Sequence, residues 1–566
     1  MAPDRDSLPN DLELMKEMYL QLWVSKDEEI KHLLDVIRKH VHARFGSKAE
    51  TMDPRQLMLA FAEMQRAGNL PPVPDPVSDR EKPHTEAARR IEKAGHGRRA
   101  LPADLPRVEI VHDLSEDEKT CTCGKQMISL PPEVSEQLDY VPSKLRVIHH
   151  IRPKYLCAGP HKDDTPRFVT RELPLQPIAS GLATPGLLAH LAVSKYDDHL
   201  PLYRLEEIFA RQQIDLPRST LCDWVQACAE LCTPLYDEMK RRVLQGSVIH
   251  ADDTNVPTQR REKGSNSCGD LEGEQNSKAL RQTLGKGCIW VYAGDQANPY
   301  TVFDYTPDRS REGPRRFLEV SAADGSDRKA RWRGHLQCDA YSGYENLFAR
   351  DDKNRLRTVE AACWAHTRRY FYEARSNGGQ DALEALAMIA RLYHIEHEAK
   401  EQGLVGSALA KYRQEHATPI TQAFRRWLHA RLDAKTGILP KSELGKAIHY
   451  AYDNYKALRR YRRLSHLSID NNAAERALKN VVIGRKNYLF CGSDRGGRSA
   501  AVIYTLVESA KRCGANPFEY LRDVLACLPE TRHSEVPRLL PDTWLKAHAD
   551  ESGAIPSNLT YAPPSR

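Results

Sequence analysis

The clearest alternation of hydrophobic and polar positions lies between residues 246 and 374, where short apolar runs are separated by polar segments. The runs GSVIHADDTNVP, CIWVYAG and YTVFDYT predict three strands, and the turn at Asn298-Pro299 joins the last two as a hairpin beside the first. A short helix is expected near 309–319. GHLQCDAYSGY then predicts a fourth strand, and TVEAACWAHTRRYFYEA a fifth strand that passes into a helix.

This element order predicts an α/β domain with the mixed sheet of a ribonuclease H-like fold. The helical stretch 375–465 interrupts the order, and we interpret it as a helical insertion after the fifth strand.

The N-terminal part of the chain has a helical pattern instead. Within 11–44 an apolar stripe begins at Leu12 and Met15 and resumes at Leu33, and a second helix is expected around 53–67. Two short heptad blocks fit either a zipper-like region or a helical pair packed within the chain.

A second helical pattern covers 180–244. It predicts a helix at about 200–212, a turn at Ile214–Leu216, and a further helix that is capped around Pro217–Thr220 and carries Arg218 in its first turn. This is the outline of a helix-turn-helix, whose second helix enters the major groove of DNA, although any helical hairpin has the same outline.

These patterns predict eight regions along the chain. They are an N-terminal helical zipper-like region (1–69), a Pro-rich and charged linker (70–106), a zinc-finger-like segment (107–175), a helix-turn-helix-like region (176–245), the first part of the catalytic core (246–374), the helical insertion (375–465), the last part of the core (466–520), and a C-terminal cap and tail (521–566).

Composition narrows the protein class. The 566 residues are 40% hydrophobic and 28% charged, and no apolar run approaches the ~18 residues of a membrane span. The first residues, MAPDRDSLPNDLELMKEM, lack the apolar segment of a secretory signal, and 13 cysteines are too dilute for a disulfide scaffold. We expect a cytoplasmic protein without a membrane partner.

Charge adds a local signal. The net charge is only +6, but the stretch from Lys456 to Arg498 contains eleven Lys or Arg residues and only three acids. Such a stretch fits the phosphate backbone of DNA, and it also fits a solvated helix face.

The segment 107–175 carries a pattern of possible metal ligands. Cys121 and Cys123 precede a strand-like stretch, and Cys157 and His161 follow it. Two close cysteines, a β segment, then Cys and His fit a tetrahedral zinc site, although both spacings differ from the common ones. The alternative is a small β domain with ordinary cysteines.

Three acids carry the predicted chemistry. Asp252 and Asp339 lie at the predicted ends of two strands, and Glu475 lies on a helix that Asp470 or Asn471 would cap. Neighbouring carboxylates are the ligands that Mg²⁺ or Mn²⁺ prefers, and two such ions catalyse phosphodiester chemistry. Each acid alone also fits a structural role.

The motifs resemble those of the insertion sequence sixty-six family of bacterial DDE transposases, nearly end to end. RFGSKAE resembles the end of the family's zipper-like region, CTCG with YLC its zinc-binding segment, and SKYDDHLPLYRLEEIFARQQIDLPRSTLCDW the start of its transposase domain. HADDT, CDAYSGY, CWAHTRRYFYEA and DNNAAERALK resemble its catalytic blocks, and LLPDTW its terminal cap. The family's second cysteine pair is reduced here to Cys157 with His161.

The resemblance implies that Asp252, Asp339 and Glu475 are the catalytic and metal-binding acids. It implies cleavage at the ends of a mobile element and attack of the freed 3′-hydroxyl on target DNA, within a homodimer or larger synaptic complex and with accessory proteins of the same element as further partners. We expect phosphate contacts from a set of basic residues near these acids and in the helix-turn-helix-like region: His366, Arg368, Arg369, Arg476, Lys479, Arg485, Lys486 and Arg218.

Two other functions remain open at this stage. A ribonuclease H-like nuclease or resolvase would use the same acids without the N-terminal regions. A non-catalytic DNA-binding regulator derived from a transposase would not need the acids.

Overall fold

The computed structural model describes residues 181–261, 282–321, 329–350, 356–433 and 437–548, the short strands at 154–157 and 167–170, residues 175–179, and single positions between 145 and 150 and at 354. The strands are β1 Lys154–Cys157, β2 Arg167–Thr170, β3 Val248–Arg261, β4 Gln282–Ala293, β5 Thr301–Thr306, β6 Glu319–Ser321, β7 Lys329–Arg331, β8 Gly334–Cys338 and β9 Thr358–Ala362.

The helices before the insertion are α1 Pro185–Tyr196, α2 Leu202–Ala210, α3 Arg218–Leu231, α4 Thr233–Val243 and α5 Glu312–Phe317. Those that follow are α6 Trp364–Glu401, α7 Gly406–Leu432, α8 Glu443–Asp453, α9 Tyr455–Leu458, α10 Asn472–Tyr488, α11 Asp494–Arg512, α12 Pro517–Cys527 and α13 Pro541–Ala547. Helix α6 is interrupted at Gly379, whose φ of 48° suits glycine. In the described part of the chain, every helix is too short or too polar to cross a bilayer.

Five strands form one mixed sheet in the order β5-β4-β3-β8-β9. β3, β4 and β5 pair antiparallel as successive neighbours, whereas β3, β8 and β9 pair parallel. The antiparallel half comes from the predicted hairpins, and the parallel half requires crossover connections. The predicted mixed sheet is confirmed.

Both faces of this sheet are buried along 287–293 of β4 and along most of β5, which explains the nearly continuous apolar runs there. On one face Tyr292 stacks on Phe317 of α5 with ring centroids 3.6 Å apart. Phe303 of β5 contacts Tyr504 of α11, with centroids 5.6 Å apart. Burial of each such ring contributes about 1.5–3 kcal/mol to folding.

Helix α11 closes the open edge of the sheet at β5. Thr505 Oγ1 accepts a hydrogen bond from the Phe303 backbone N–H (2.9 Å), and Ser509 Oγ accepts from Thr301 N–H (3.0 Å) and donates to Thr301 O (3.1 Å). Side chains of a helix thus satisfy backbone groups that a further strand would otherwise pair with.

The region predicted to resemble a helix-turn-helix forms helices α2 and α3. Its expected cap differs: neither Ser219 nor Thr220 caps α3, and Glu206 of α2 accepts the free Arg218 N–H instead (3.1 Å). Because Pro217 occupies the N-cap position and has no side-chain acceptor, an oxygen from the neighbouring helix takes that role. The inner face of α3 is buried and its outer face is exposed.

The predicted insertion is helical and has its own hydrophobic core, in which Trp364 and Trp427 pack around Phe424. A buried arginine ties this core to the segment that leads into α10. Arg413 of α7 forms a double hydrogen bond with Glu396 (2.8 and 2.6 Å) and donates to the carbonyls of the segment after α9 at Tyr461, Leu464 and Leu467.

Strand β3 is longer than predicted. It does not end at Asp252 and Asp253 but continues to Arg261, because β4 pairs with it from His250 to Arg261. What ends near the acids is its pairing with β8, which stops at His250.

The N-terminal predictions lie outside the described residues. These are the helices at 11–44 and 53–67 and the linker at 70–106. Within the zinc-finger-like segment the structure describes β1 and β2, which pair antiparallel with Cys157 opposite Arg167.

We predict that Arg413→Ala destabilises the insertion by about 3–5 kcal/mol, since it leaves Glu396 buried without its partner and frees three carbonyls. Urea unfolding followed by tryptophan fluorescence measures the destabilisation. Lys411→Ala on the same helix, where the Lys411 side chain is 79% exposed, is the control and should leave the midpoint unchanged. Equal midpoints for both variants would contradict this role for Arg413.

Candidate active site

Strand register brings Asp252 and Asp339 together. β3 and β8 run parallel with Val248 opposite His335, a separation of 87 residues, which is also the separation of the two acids. Extended two residues past its last pair, His250 and Gln337, the same offset would set Asp252 opposite Asp339 and on the same face of the sheet. Neighbouring strands are about 4.8 Å apart. The charge of Asp339 raises the pKa of Asp252, which supports two neighbouring carboxylates where the parallel pairing ends.

The chain turns sharply after Asp339, and two contacts hold that turn. Ala340 has a φ of 62°, a left-handed conformation that is uncommon for alanine. The Tyr341 N–H donates to Asp339 Oδ1 (3.2 Å), and the Tyr450 hydroxyl of α8 donates to the Asp339 carbonyl (3.0 Å). A helix of the insertion thus helps to position the second acid.

Asn471 joins the first acid's strand to the helix of the third. Its side-chain N–H donates to the Ala251 carbonyl (2.8 Å), so its Oδ1 faces His250 Nδ1 (3.2 Å) and accepts a hydrogen bond from it. Its backbone N–H donates to Cys363 Sγ (3.1 Å). Asn471 is fully buried and precedes α10, and Glu475 lies one turn further along that helix.

His250 is neutral in this arrangement. Burial lowers its pKa to about 4, although the hydrogen bond with Asn471 acts in the opposite direction. A neutral ring carries one N–H, and the acceptor Asn471 Oδ1 fixes that hydrogen on Nδ1.

The electrostatics of Asp252 indicate that the three acids lie near one another. Burial, together with the negative charges of Asp339, Asp253 and Glu475, raises the pKa of Asp252 to about 7. A hydrogen bond from the Asp253 N–H to Asp252 Oδ1 (2.8 Å) only partly offsets this. A carboxyl group of this kind holds a proton near neutral pH unless a cation replaces it.

Glu475 faces a histidine and an arginine from the start of α6. His366 Nδ1 lies 3.4 Å from Glu475 Oε1, and Arg369 lies 3.8 Å from Glu475 Oε2. His366 Nδ1 and Glu475 Oε1 are buried but misaligned for a hydrogen bond, and the described residues supply neither atom with another partner. Cys363 completes this group, since the ligand atoms of Cys363, His366 and Glu475 lie within 4.8 Å of one another.

Asp253 lies on the opposite face of β3 and has a different environment. Arg309 binds both of its oxygens (2.6 and 2.8 Å), and the Cys288 thiol donates to it (3.4 Å). The guanidinium of Arg309 in turn lies 3.8 Å from the centre of the Tyr341 ring. Asp253 is thus part of a structural ion pair beside the site.

The predicted basic residues occupy three surroundings. Lys479 and Lys486 are exposed on the face of α10 that also carries Glu475, as their spacings of four and eleven residues require, and Arg476 is exposed about 100° around the helix from Glu475. Arg485 is turned to β3, where it donates to Thr254 Oγ1 (2.9 Å) and to the Asn255 carbonyl. His366, Arg368 and Arg369 follow β9 as predicted, and Arg218 is exposed at the start of α3.

The hydrogen bonds by which Asn471 joins β3 to the segment after β9 were not predicted from the sequence, where Asn471 was considered only as a helix cap. In the structure its side chain makes no cap hydrogen bond, and Asp470 Oδ1 accepts the Asn472 N–H instead (3.1 Å). Three successive capping-type residues, Asp470 to Asn472, were the available signal, since a cap needs only one.

The predicted zinc ligands Cys121, Cys123 and His161 lie outside the described residues, and Cys157 ends β1.

Four family comparisons cover most of the chain. The Transposase IS66 family matches residues 180–269 and 275–499, and the IS66 C-terminal element matches 505–541. The zinc-finger binding domain of transposase IS66 matches 118–159, a range that holds Cys121, Cys123 and Cys157 but ends before His161. The family described as Transposase C of IS166 homeodomain matches 32–110 and so extends across the predicted linker.

Curated relatives agree over nearly the whole length. The uncharacterized protein y4jD of Sinorhizobium fredii (strain NBRC 101917 / NGR234) is 30% identical over 98% of this chain and 99% of its own. The uncharacterized protein y4qI of the same organism is 30% identical over 91% of this chain and 89% of its own. The family match spans more than half of the chain and includes all three acids. The chain therefore belongs to the Transposase IS66 family.

Proposed function

We propose that this transposase cuts and joins DNA with a carboxylate active site formed by Asp252, Asp339 and Glu475. The observation that carries the proposal is the offset of 87 residues that the two aspartates share with their paired strands, together with the charges of Asp339 and Glu475, which raise the pKa of Asp252. Three acids that a structural role would keep apart are instead gathered at one half-buried point, where their mutual repulsion opposes folding.

The sheet supports the same proposal. In its order β5-β4-β3-β8-β9, an antiparallel hairpin set lies on one side of β3 and two parallel strands on the other, as a ribonuclease H-like fold requires. The acids lie on the central strand and its parallel neighbour, and the third comes from α10, which packs on β3.

The site suits divalent cations. Its donors are mainly carboxylate oxygens, which suit Mg²⁺ or Mn²⁺, and two buried atoms, His366 Nδ1 and Glu475 Oε1, face each other without a hydrogen bond. We infer that Asp252 and Asp339 hold the ions and that Glu475, with His366 beside it, completes the set. Two such ions would activate the attacking hydroxyl and neutralise charge on the phosphate.

The chain's own residues then position the DNA. In the first step water would attack a phosphodiester at an element end, which leaves a 3′-hydroxyl on the element and a 5′-phosphate on the other fragment. In the second step this 3′-hydroxyl would attack a phosphodiester of the target, forming a new phosphodiester and releasing a 3′-hydroxyl of the cut target strand. Lys479 and Lys486, exposed on the Glu475 face of α10, and Arg476, exposed beside that face, are placed to hold backbone phosphates. Arg369 would pair with a phosphate once Glu475 is engaged by cations, since Glu475 is its charge partner in the metal-free site.

The remaining expectations belong to the same proposal. We infer zinc in the zinc-finger domain, held by Cys121, Cys123, Cys157 and His161, and DNA contacts by the outer face of α3 around Arg218. Synapsis of two element ends implies at least a homodimer during reaction, and accessory proteins of the element are further expected partners.

We predict that Asp252→Asn abolishes strand transfer whereas Asp253→Asn retains it. Asp252 faces the other acids, whereas Asp253 faces Arg309 on the opposite side of the strand. The measurement is joining of labelled element ends to a target plasmid with Mg²⁺ or Mn²⁺, for full-length protein. Asp339→Asn and Glu475→Gln should lower activity by at least about a thousandfold, as expected when a metal-binding acid is neutralised.

DNA binding and thermal unfolding serve as controls for these variants. Asp253→Asn should melt at a lower temperature, since it leaves Arg309 without its charge partner, yet it should still join DNA. Inactive Asp253→Asn with active Asp252→Asn would refute the assignment. Cleavage without joining by the wild type would favour a nuclease, and binding without either reaction would favour a regulator.

We predict a further effect of pH on the metal-free protein. The pKa of Asp252 is raised in the folded state to about 7, so the folded protein binds a proton that the unfolded chain has released, and folding stability falls as pH rises from about 4 to 7. Asp252→Asn removes this effect. In EDTA, the variant should therefore melt above the wild type at pH 8, and the difference should shrink as pH falls toward 4.

Mg²⁺ gives the matched comparison. It should raise the melting temperature of the wild type at pH 8 more than that of Asp252→Asn, because the variant lacks one ligand. A variant that melts below the wild type at pH 8 in EDTA would contradict this prediction. It would show that ionised Asp252 stabilises the fold instead of destabilising it.

A further inference from the structure

A basic cavity lies in the helical insertion, and its lining residues include none of the three acids of the proposed active site. Its volume is about 590 Å³. Five arginines line it: Arg425 and Arg426 from α7, and Arg459, Arg462 and Arg463 from the segment that follows α9. The other lining side chains are glutamines, a threonine, a histidine and a tyrosine, so no Asp or Glu among the described residues lines the cavity.

The charges of these arginines are not compensated within the described part of the chain. None of the five forms an ion pair with an acid there, whereas other arginines of the insertion do: Arg413 binds Glu396, and Arg431 binds Asp381. Guanidinium groups stay ionised, so the cavity gathers like charges that repel one another. Without an anion this arrangement is unfavourable.

The cavity has a fixed framework. Tyr455 donates its hydroxyl to the Thr421 carbonyl (2.9 Å), and its ring lies 5.6 Å from the Arg425 guanidinium carbon and 5.9 Å from that of Arg459. Arg462 is buried and donates to Thr421 Oγ1 (2.7 Å). Burial lowers the pKa of Arg462, and the charges of Arg459 and Arg463 lower it further. Arg462 is therefore held at the base of the cavity, Arg425 and Arg459 lie beside the Tyr455 ring, and all of the lining arginines except Arg462 are exposed to a ligand.

The wall of the cavity is attached to the catalytic sheet. Arg460, within the lining segment, donates to the Glu360 carbonyl of β9. Arg413 holds the same segment through the Tyr461 and Leu467 carbonyls. Arg463 precedes Glu475 by twelve residues. A ligand in the cavity is thus held at a fixed place relative to the helix of the third acid.

We propose that this cavity binds backbone phosphates of a DNA duplex and gives the transposase a second, sequence-independent DNA contact in its insertion. A guanidinium group binds a phosphate through two parallel N–H···O hydrogen bonds. The positive charge of five such groups exceeds the negative charge of a single phosphate. A polyanion with regularly spaced phosphates fits this charge, and the polar lining offers no pocket for an apolar ligand. The inference rests on the proposed function only in taking DNA as the substrate.

The test compares full-length wild type with Arg425→Gln/Arg426→Gln/Arg463→Gln, which leaves the buried Arg462 in place. Binding of fluorescent duplexes of unrelated sequence is measured by anisotropy over a range of salt concentrations. We expect weaker binding to every duplex and a salt slope reduced by ~0.9 for each phosphate that is no longer neutralised, up to roughly 2.7. The control is Lys411→Gln/Lys441→Gln/Lys446→Gln, three exposed lysines of the insertion outside the cavity, which should keep the wild-type slope.

Two further measurements separate charge from structure. The triple Gln variant should melt at or above the wild-type temperature without DNA, since it relieves repulsion, and Arg425→Lys/Arg426→Lys/Arg463→Lys should keep most of the salt slope. A triple Gln variant with wild-type affinity and slope would overturn the proposal. So would a Lys variant whose slope falls as far as that of the Gln variant, because the residues would then act through shape.

Inorganic pyrophosphate distinguishes a small-anion site from a DNA site. Stabilisation of the wild type but not the Gln variant by pyrophosphate, with unchanged DNA binding, would assign the cavity to free phosphates and overturn the proposal. Binding is measured in EDTA, so it does not depend on the catalytic acids. A failure of the carboxylate assignment would leave this result standing, and the reverse also holds.

Discussion

The structure depends on one buried amide. Asn471 bonds with its side chain to β3 at His250 and Ala251 and with its backbone to Cys363 at the end of β9. It therefore fixes three segments that are distant in sequence, and it does so immediately before the helix that carries Glu475. A buried polar group costs free energy unless all its hydrogen bonds are made, so this residue tolerates only one arrangement of the three segments. That constraint sets the start of the Glu475 helix against the strand of Asp252, as the proposed three-acid site needs.

The insertion takes part in the same construction although it has a separate hydrophobic core. Tyr450 contacts the Asp339 carbonyl, and Arg413 holds the segment between α9 and α10. The second acid and the helix of the third are thus both set from the insertion side. A long insertion between strand and helix would otherwise loosen the site, because loop closure becomes less favourable with length.

The sequence allowed the mixed sheet, the helical insertion and the family to be predicted, because apolar alternation and specific motifs are both readable in a single chain. It also singled out the three acids of the proposed site, and the spacing of Asp252 and Asp339 equals the register offset of their strands. The length of β3 was mispredicted because its far half is polar and is held by partners distant in sequence, β4 and the backbone of Cys491. The cap of α3 was mispredicted because its acceptor, Glu206, comes from another helix. The positioning hydrogen bonds of Asn471, Cys363 and Tyr450 were not predicted for a related reason. Hydrogen bonds between residues distant in sequence produce no periodic pattern of hydrophobic and polar positions.

The cover that α11 places over β5 has a consequence for incomplete copies of this protein. Thr505 and Ser509 form hydrogen bonds with outward-facing backbone groups of β5. Both residues come late in the chain, so they are synthesised after every strand of the sheet. A chain that stops before residue 494 would contain the whole sheet with a bare edge. Bare edges pair with other strands, so a truncated copy would tend to aggregate rather than accumulate as a soluble competitor for DNA. The same late helix that completes the fold thereby limits the damage that broken copies of the element can do to intact ones.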